Sequence, residues 1–241
     1  MIPSTFQAGS GSSAQNITWA VEEPTSSYDR AVVIAYGSDG TVPPWKAEIE
    51  KFATKLAEAG ILALTPDYFE VDPPTPHGDR DAAFASILPR NRQWAQVLRD
   101  AVTSAKALPN VDDSRVGLLG FSLGGFLALQ IRDSVNVLVE HYAPYRFPPN
   151  RDLGAETPLK GLGPNRNAVL QAAIHHGEAD TLVPINLNAS SIKADLIAEG
   201  ASVTTTYYPG AGHGFQGSDS QNTLARDNSL RDTITFFDDH L

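Results

Sequence analysis

The chain has 241 residues, 41% hydrophobic and 19% charged, which is the balance of a globular protein whose core needs no covalent staples. Its formal net charge of -10 makes nucleic acid and anionic membrane poor partners. It has no cysteine, which excludes disulfides, thiolate metal sites and a cysteine nucleophile.

The stretch from Met1 to Gln15 is rich in Ser and Gly and shows no basic start followed by an apolar run, so no secretory leader is read there. No segment is apolar enough to span a bilayer, and the cytoplasm is the expected compartment. With no repeat and no linker, residues 1–241 are expected to form one domain.

Ile17–Val21 alternates loosely, as an outer strand does. Ala31–Tyr36 is a short apolar run, the pattern of a strand covered on both faces. Trp45, Ile49, Phe52 and Leu56 recur at helical spacing before Gly60, which suits a helix C-cap. Ile61–Thr65 is the next buried strand, and Gln93–Leu108 is an amphipathic helix. Arg115–Phe121 predicts a strand and Leu123–Arg132 the helix after it. Val135–Glu140 and Ala168–His175 are further strands. Pro184 opens a helix that runs to about Glu199, Ser202–Tyr208 is a β-branched strand, and Leu224–Phe237 is a closing helix. Strands alternating with helices predict an α/β protein: a doubly wound, mostly parallel sheet with helices on both faces and a minimal cap. Ligands of such sheets bind beyond the carboxyl ends of the strands. Two long connections, Pro66–Pro89 and Ala143–Asn167, lack clear periodicity and are read either as walls of a site or as plain surface loops.

Gly120-Phe121-Ser122-Leu123-Gly124 matches the pattern G-x-S-x-G, preceded by a strand and followed by a helix-competent run. A tight strand-to-helix turn lifts the serine Oγ out of the sheet and leaves room only for very small side chains two positions either way. It also aims the Leu123 N–H at an oxyanion. Asp180 and His213 follow two later strands, in the order Ser, Asp, His. Asp180 would orient His213 through Nδ1, and Nε2 would take the Ser122 proton. Glu178 is the alternative acid. The second oxyanion donor is expected from Tyr36-Gly37-Ser38-Asp39-Gly40, with the Ser38 N–H chosen because glycine stands nearby on either side.

Trp45, His141 and Tyr142 are candidate walls of the substrate pocket. His175 and His176 are read as packing or loop-bonding groups, and His77 and His240 as surface residues. The histidines show no ligand spacing beyond one adjacent pair, so no metal is expected. Arg80, Arg90, Arg146 and Arg151 are candidate carboxylate binders or solvated cations.

These landmarks together resemble the dienelactone hydrolase family of α/β-hydrolases. The resemblance rests on VVIAYGSDG (32–40), ALTPDYF (63–69), RVGLLGFSLGG (115–125), HHGEADTLVP (175–184) and YYPGAGHGF (207–215). It implies a compact fold, no cofactor, a small carboxylic ester or lactone as substrate, and the same roles for Ser122, Asp180, His213, Leu123 and Ser38. The founding members carry a cysteine nucleophile, a glutamate in the oxyanion loop and an arginine soon after the catalytic histidine. Here those places hold Ser122, Gly37 and the stretch Phe215-Gln216-Gly217. A Ser–His–Asp esterase is therefore expected in place of activity on dienelactone itself. Amide hydrolysis or acyl transfer on the same three residues, and a non-catalytic binding protein of the same fold, are the alternatives. The chain is expected to act as a monomer or homodimer.

Overall fold

A computed structural model describes residues 2–11, 14–147 and 169–241. Eight strands form one sheet: β1 (Ile2–Ala8), β2 (Gln15–Glu22), β3 (Arg30–Ala35), β4 (Ile61–Pro66), β5 (Val116–Phe121), β6 (Val137–His141), β7 (Gln171–Gly177) and β8 (Ser202–Tyr208). Their spatial order is β1-β2-β4-β3-β5-β6-β7-β8. From β4 through β8 every pairing is parallel, while β1 and β2 join antiparallel at one edge. The helices are α1 (Trp45–Glu58), α2 (Arg80–Lys106), α3 (Leu123–Gln130), α4 (Ala189–Ala198) and α5 (Ser220–His240).

All six residues of β4 and of β5 are buried, as are the last five of β3. Successive side chains of a strand point to opposite faces, so this pattern means that helices cover both faces of the central sheet. Helix α1 packs against β4 and α5, and α2 packs against α3. Trp94, Leu98 and Ala101 of α2 are fully buried, as are Phe52 and Leu56 of α1 to within a few per cent.

The N-terminal segment, read as a Ser- and Gly-rich stretch and assigned no strand, contains strand β1. It forms a hairpin with β2 in which Thr5 lies opposite Thr18, and Phe6 packs on Trp19 with ring centroids 4.8 Å apart. The outer position therefore belongs to β1. The connection 66–89 is also shorter than expected, because α2 begins at Arg80. The Asp79 carboxylate caps that helix by accepting from the Ala82 N–H at 2.9 Å. Ala83, Ile87, Asn91 and Trp94 continue one buried stripe through Pro89, which stays inside the helix. The helix expected from Pro184 divides into a 3₁₀ turn at Ile185–Leu187 and α4. Most of the connection 143–167 lies outside the described residues.

Candidate active site

Five connections at the carboxyl ends of the parallel strands converge on one cleft: Gly37–Asp39 after β3, Ser122 after β5, Tyr142 after β6, Asp180 and Val183 after β7, and His213 after β8. The cleft holds about 680 Å³ out to its open mouth, and most of its lining is apolar, including Trp45, Phe84, Phe121 and Phe147.

Ser122 sits between β5 and α3 with φ 49° and ψ -114°, a strained conformation for a residue with a side chain. The turn is pinned by the Ser122 N–H donating to the His141 carbonyl at 2.9 Å and by the Phe126 N–H donating to the Ser122 carbonyl at 3.0 Å. It closes only because the flanking positions lack a Cβ. At Gly124 that atom would lie 2.1 Å from the Ala35 carbonyl oxygen, and at Gly120 it would lie 2.6 Å from Gly125 Cα. Tyr142 and Phe215 are the other non-glycine residues with positive φ among those described, and both flank His213.

The Ser122 Oγ lies 3.1 Å from His213 Nε2, and His213 Nδ1 lies 2.7 Å from Asp180 Oδ2. The other carboxylate oxygen accepts the Leu182 and Val183 N–H groups at 3.0 and 2.7 Å. Asp180 is buried. Burial pushes its carboxyl up, but hydrogen bonds from His176 and His213, the His213 charge and the Val183 N–H outweigh that and bring it down to about 2. An anionic Asp180 requires a proton on His213 Nδ1, which leaves Nε2 free to accept from a serine hydroxyl. Glu178, the alternative acid, is exposed on the neighbouring turn.

The Leu123 N–H is the first of α3 and, like that of Ser38, has no acceptor among the described residues. Ser38 is buried, and its neighbour Gly37 lies against the elbow, with the Gly37 Cβ direction 3.6 Å from Ser122 Cβ. Both expected donors thus belong to segments bordering Ser122.

Trp45 and Tyr142 line the cleft. Tyr142 packs edge-on to His213 and Phe215, with centroids 5.0 and 5.2 Å apart. Burial, then the charges of Glu48, Asp180 and Glu140, keeps its hydroxyl protonated. His141 lies outside the main cleft: it is buried behind Phe121, hydrogen bonded to Thr233 at 2.9 Å, and borders a smaller side cavity. Burial and the adjacent His175 hold its pKa well below the ordinary histidine value, so it is a neutral packing group. His175 is buried beside it, and His176 donates from Nε2 to the Val183 carbonyl at 2.7 Å while lying 3.3 Å from Asp180.

His77 is a second correction. It is half-buried and lies 2.9 Å from the Asp67 carboxylate, beneath the loop that carries Ser38. Arg80 borders the cleft, paired at two points with Asp39. Arg90 is committed to Val71 and Thr75, Arg146 stacks over Tyr145, and Arg151 lies outside the described residues. Sequence reasoning missed Asp39, Glu48, Phe84, Phe147 and Val183 as cleft residues. Glu48 carried a signal, since it stands one turn after Trp45 on the same helix. Among the described residues, no three His, Asp or Glu side chains converge as a metal ion would need, and no helix is long and apolar enough to cross a membrane.

A parallel sheet in this order, with a strained serine turn after β5 and an Asp and a His after β7 and β8, defines an α/β-hydrolase fold. The chain belongs to the dienelactone hydrolase family, whose model matches residues 18–241. Among solved structures it is similar to a protein of Klebsiella pneumoniae described as a candidate dienelactone hydrolase, with a TM-score of 0.71 at 16% identity over 98% of this chain and 99% of that one. It is also similar to a dienelactone hydrolase-like promiscuous phosphotriesterase from metagenomic libraries, with TM-score 0.70, 17% identity and coverage of 99% and 98%. An acylaminoacyl peptidase of Pyrococcus horikoshii matches all of this chain with TM-score 0.70 and 17% identity, but the chain spans only 42% of that protein. No curated protein matches significantly.

Proposed function

We propose that this protein is a serine hydrolase that cleaves a small carboxylic ester or lactone through an acyl-enzyme. The carrying observation is the chain of contacts Ser122–His213–Asp180, at 3.1 and 2.7 Å, opening on an apolar cleft. The Ser122 Oγ attacks the carbonyl carbon as its proton passes to His213 Nε2, and Asp180 stabilises the imidazolium that forms. The Leu123 and Ser38 N–H groups receive the negative charge on the former carbonyl oxygen. Collapse of the tetrahedral species expels the alcohol, which takes the proton from His213. Water then enters, gives a proton to His213 and a hydroxyl to the acyl carbon, and releases the acid and the Ser122 hydroxyl.

Membership of a hydrolase family and the apolar, compact cleft support this reading. Esters are favoured over amides because they are intrinsically easier to cleave. Hydrolysis of p-nitrophenyl esters of increasing acyl length, with matched anilides and Ser122→Ala alongside, tests it. Turnover of short esters well above the anilides, abolished in the variant, is expected. Wild-type inactivity on all of them, or an active variant, overturns the reading.

A further inference from the structure

Besides His213, the charged side chains bordering the cleft among the described residues are Asp39, Arg80 and Glu48. Asp39 and Arg80 neutralise one another, with Nε to Oδ1 at 3.2 Å and a terminal nitrogen to Oδ2 at 2.9 Å. Glu48 has no such partner. It is half-buried, and it makes no hydrogen bond or ion pair with any described residue. The nearest lysine in sequence, Lys46, turns to Glu50 at 4.0 Å.

The surroundings of Glu48 are aromatic. Trp45, Phe121, Tyr142 and Glu48 form a shared wall between the main cleft and the side cavity of about 290 Å³. The one cationic side chain bordering that cavity among the described residues is Arg226, whose guanidinium donates to the Phe215 and Gly217 carbonyls and to the Thr223 hydroxyl. A carboxylate without an ion-pair partner among the described residues, bordered by aromatic side chains in a mostly apolar recess, favours a cation and repels an anion. Aromatic rings also attract cations, tryptophan most strongly, and Trp45 borders both cavities.

We propose that the Trp45–Glu48 wall is a subsite for a positively charged group of the substrate, so that the ester cleaved carries an ammonium on its acyl or alcohol part. This rests on the ester-hydrolase reading. An ammonium held by Glu48 needs no movement of the Asp39–Arg80 pair, and a carboxylate-bearing ester finds no free cation in the cleft among the described residues.

Acetylthiocholine and its neutral carbon isostere, 3,3-dimethylbutyl thioacetate, differ only in that charge. Thiol release can be followed with a disulfide reagent without background, because the chain has no cysteine. The expected kcat/KM ratio favours acetylthiocholine by about tenfold or more, and Glu48→Gln brings the ratio towards one. Calorimetric titration with phenyltrimethylammonium reads the subsite without turnover, and its affinity is expected to fall in the same variant. Hydrolysis of the isostere with no preference for the cation, or a preference that Glu48→Gln leaves unchanged, overturns the subsite while the esterase reading stands. Glu48-dependent binding of phenyltrimethylammonium with no ester turned over leaves the subsite standing and overturns the esterase reading. Absence of that binding overturns the subsite.

Discussion

His77 and Asp67 form a hydrogen bond of 2.9 Å that anchors the loop after β3 from below. The opposite ring nitrogen, Nδ1, accepts the Thr41 N–H at 3.0 Å, so the ring proton is on Nε2 and donates to Asp67. Asp67 in turn accepts from the Tyr36 hydroxyl at 2.6 Å and the Phe69 N–H at 3.2 Å. Residues 36 and 41 bracket the segment that carries Ser38, so His77 sets the height of that segment over Ser122. His77→Ala is expected to lower kcat by about tenfold with a smaller change in KM, less than the loss of an oxyanion donor outright. Steady-state kinetics on one short ester checks this, and an unchanged kcat would remove His77 from any positioning role.

Asp180 fixes the tautomer of His213. Asn in its place can still occupy the site but can present its amide to Nδ1, which moves the ring proton to Nε2, facing Ser122. Asp180→Asn is expected to fold as wild type and to lose roughly 10³–10⁴ in kcat. Circular dichroism and ester kinetics on the same sample separate the two effects. A loss below tenfold would mean that the acid is supplied elsewhere.

Gly124 and Gly37, both beside Ser122, leave very different room for a methyl group. Gly124→Ala places a Cβ 2.1 Å from the Ala35 carbonyl oxygen, an overlap of two backbones that rotamer changes cannot relieve. It is expected to cost more than about 4 kcal/mol or to prevent folding. Gly37→Ala meets nothing closer than 3.6 Å and should change stability by less than about 1 kcal/mol. Thermal unfolding of the two variants is the check, and equal melting temperatures would contradict the close approach.

Glu140 makes stability depend on pH near neutrality. Burial pushes its carboxyl up from 4.5 to about 7, against the opposing effects of His176 and the hydrogen bond from the Ala143 N–H. The folded chain therefore keeps a proton that the unfolded chain releases in that interval. This contribution is complete below about pH 4.5 and is lost as the pH rises through about 7. Glutamine cannot lose the proton. The unfolding free energy of Glu140→Gln relative to wild type should therefore rise by roughly 2 to 3 kcal/mol between pH 5 and 8. Urea denaturation at the two pH values measures it, and a pH-independent difference would contradict a protonated Glu140.

The legible parts of the molecule are those in which one short segment carries its own physical reason. The run at 116–121 is apolar at every position because both faces are covered, and the small residues around Ser122 answer to a backbone that passes within touching distance. Asp180 and His213 are each a few residues beyond a strand end, so the parallel topology alone brings them to Ser122. Strand β1 stayed hidden because its identity depends on a partner, β2, and among its described side chains Ser4, Thr5 and Gln7 are exposed while only Phe6 and Ala8 are buried. Pro89 disguised the first three turns of α2, although Ala83 and Ile87 keep the helical stripe. The role of His77 arises from Thr41 and Asp67, which are distant from it in the chain, and nothing in its own neighbourhood marks it, whereas Glu48 was marked only by its place one turn after Trp45.

The proposed mechanism stands on Ser122 being a nucleophile activated by His213 and Asp180. Intact-mass measurement after reaction with a fluorophosphonate tests it most directly, since the reagent modifies a serine only when that hydroxyl is activated. One adduct per chain is expected, mapped by peptide analysis to Ser122, lost in Ser122→Ala and strongly slowed in His213→Ala. An unlabelled wild type, or an adduct that persists in Ser122→Ala, would contradict it.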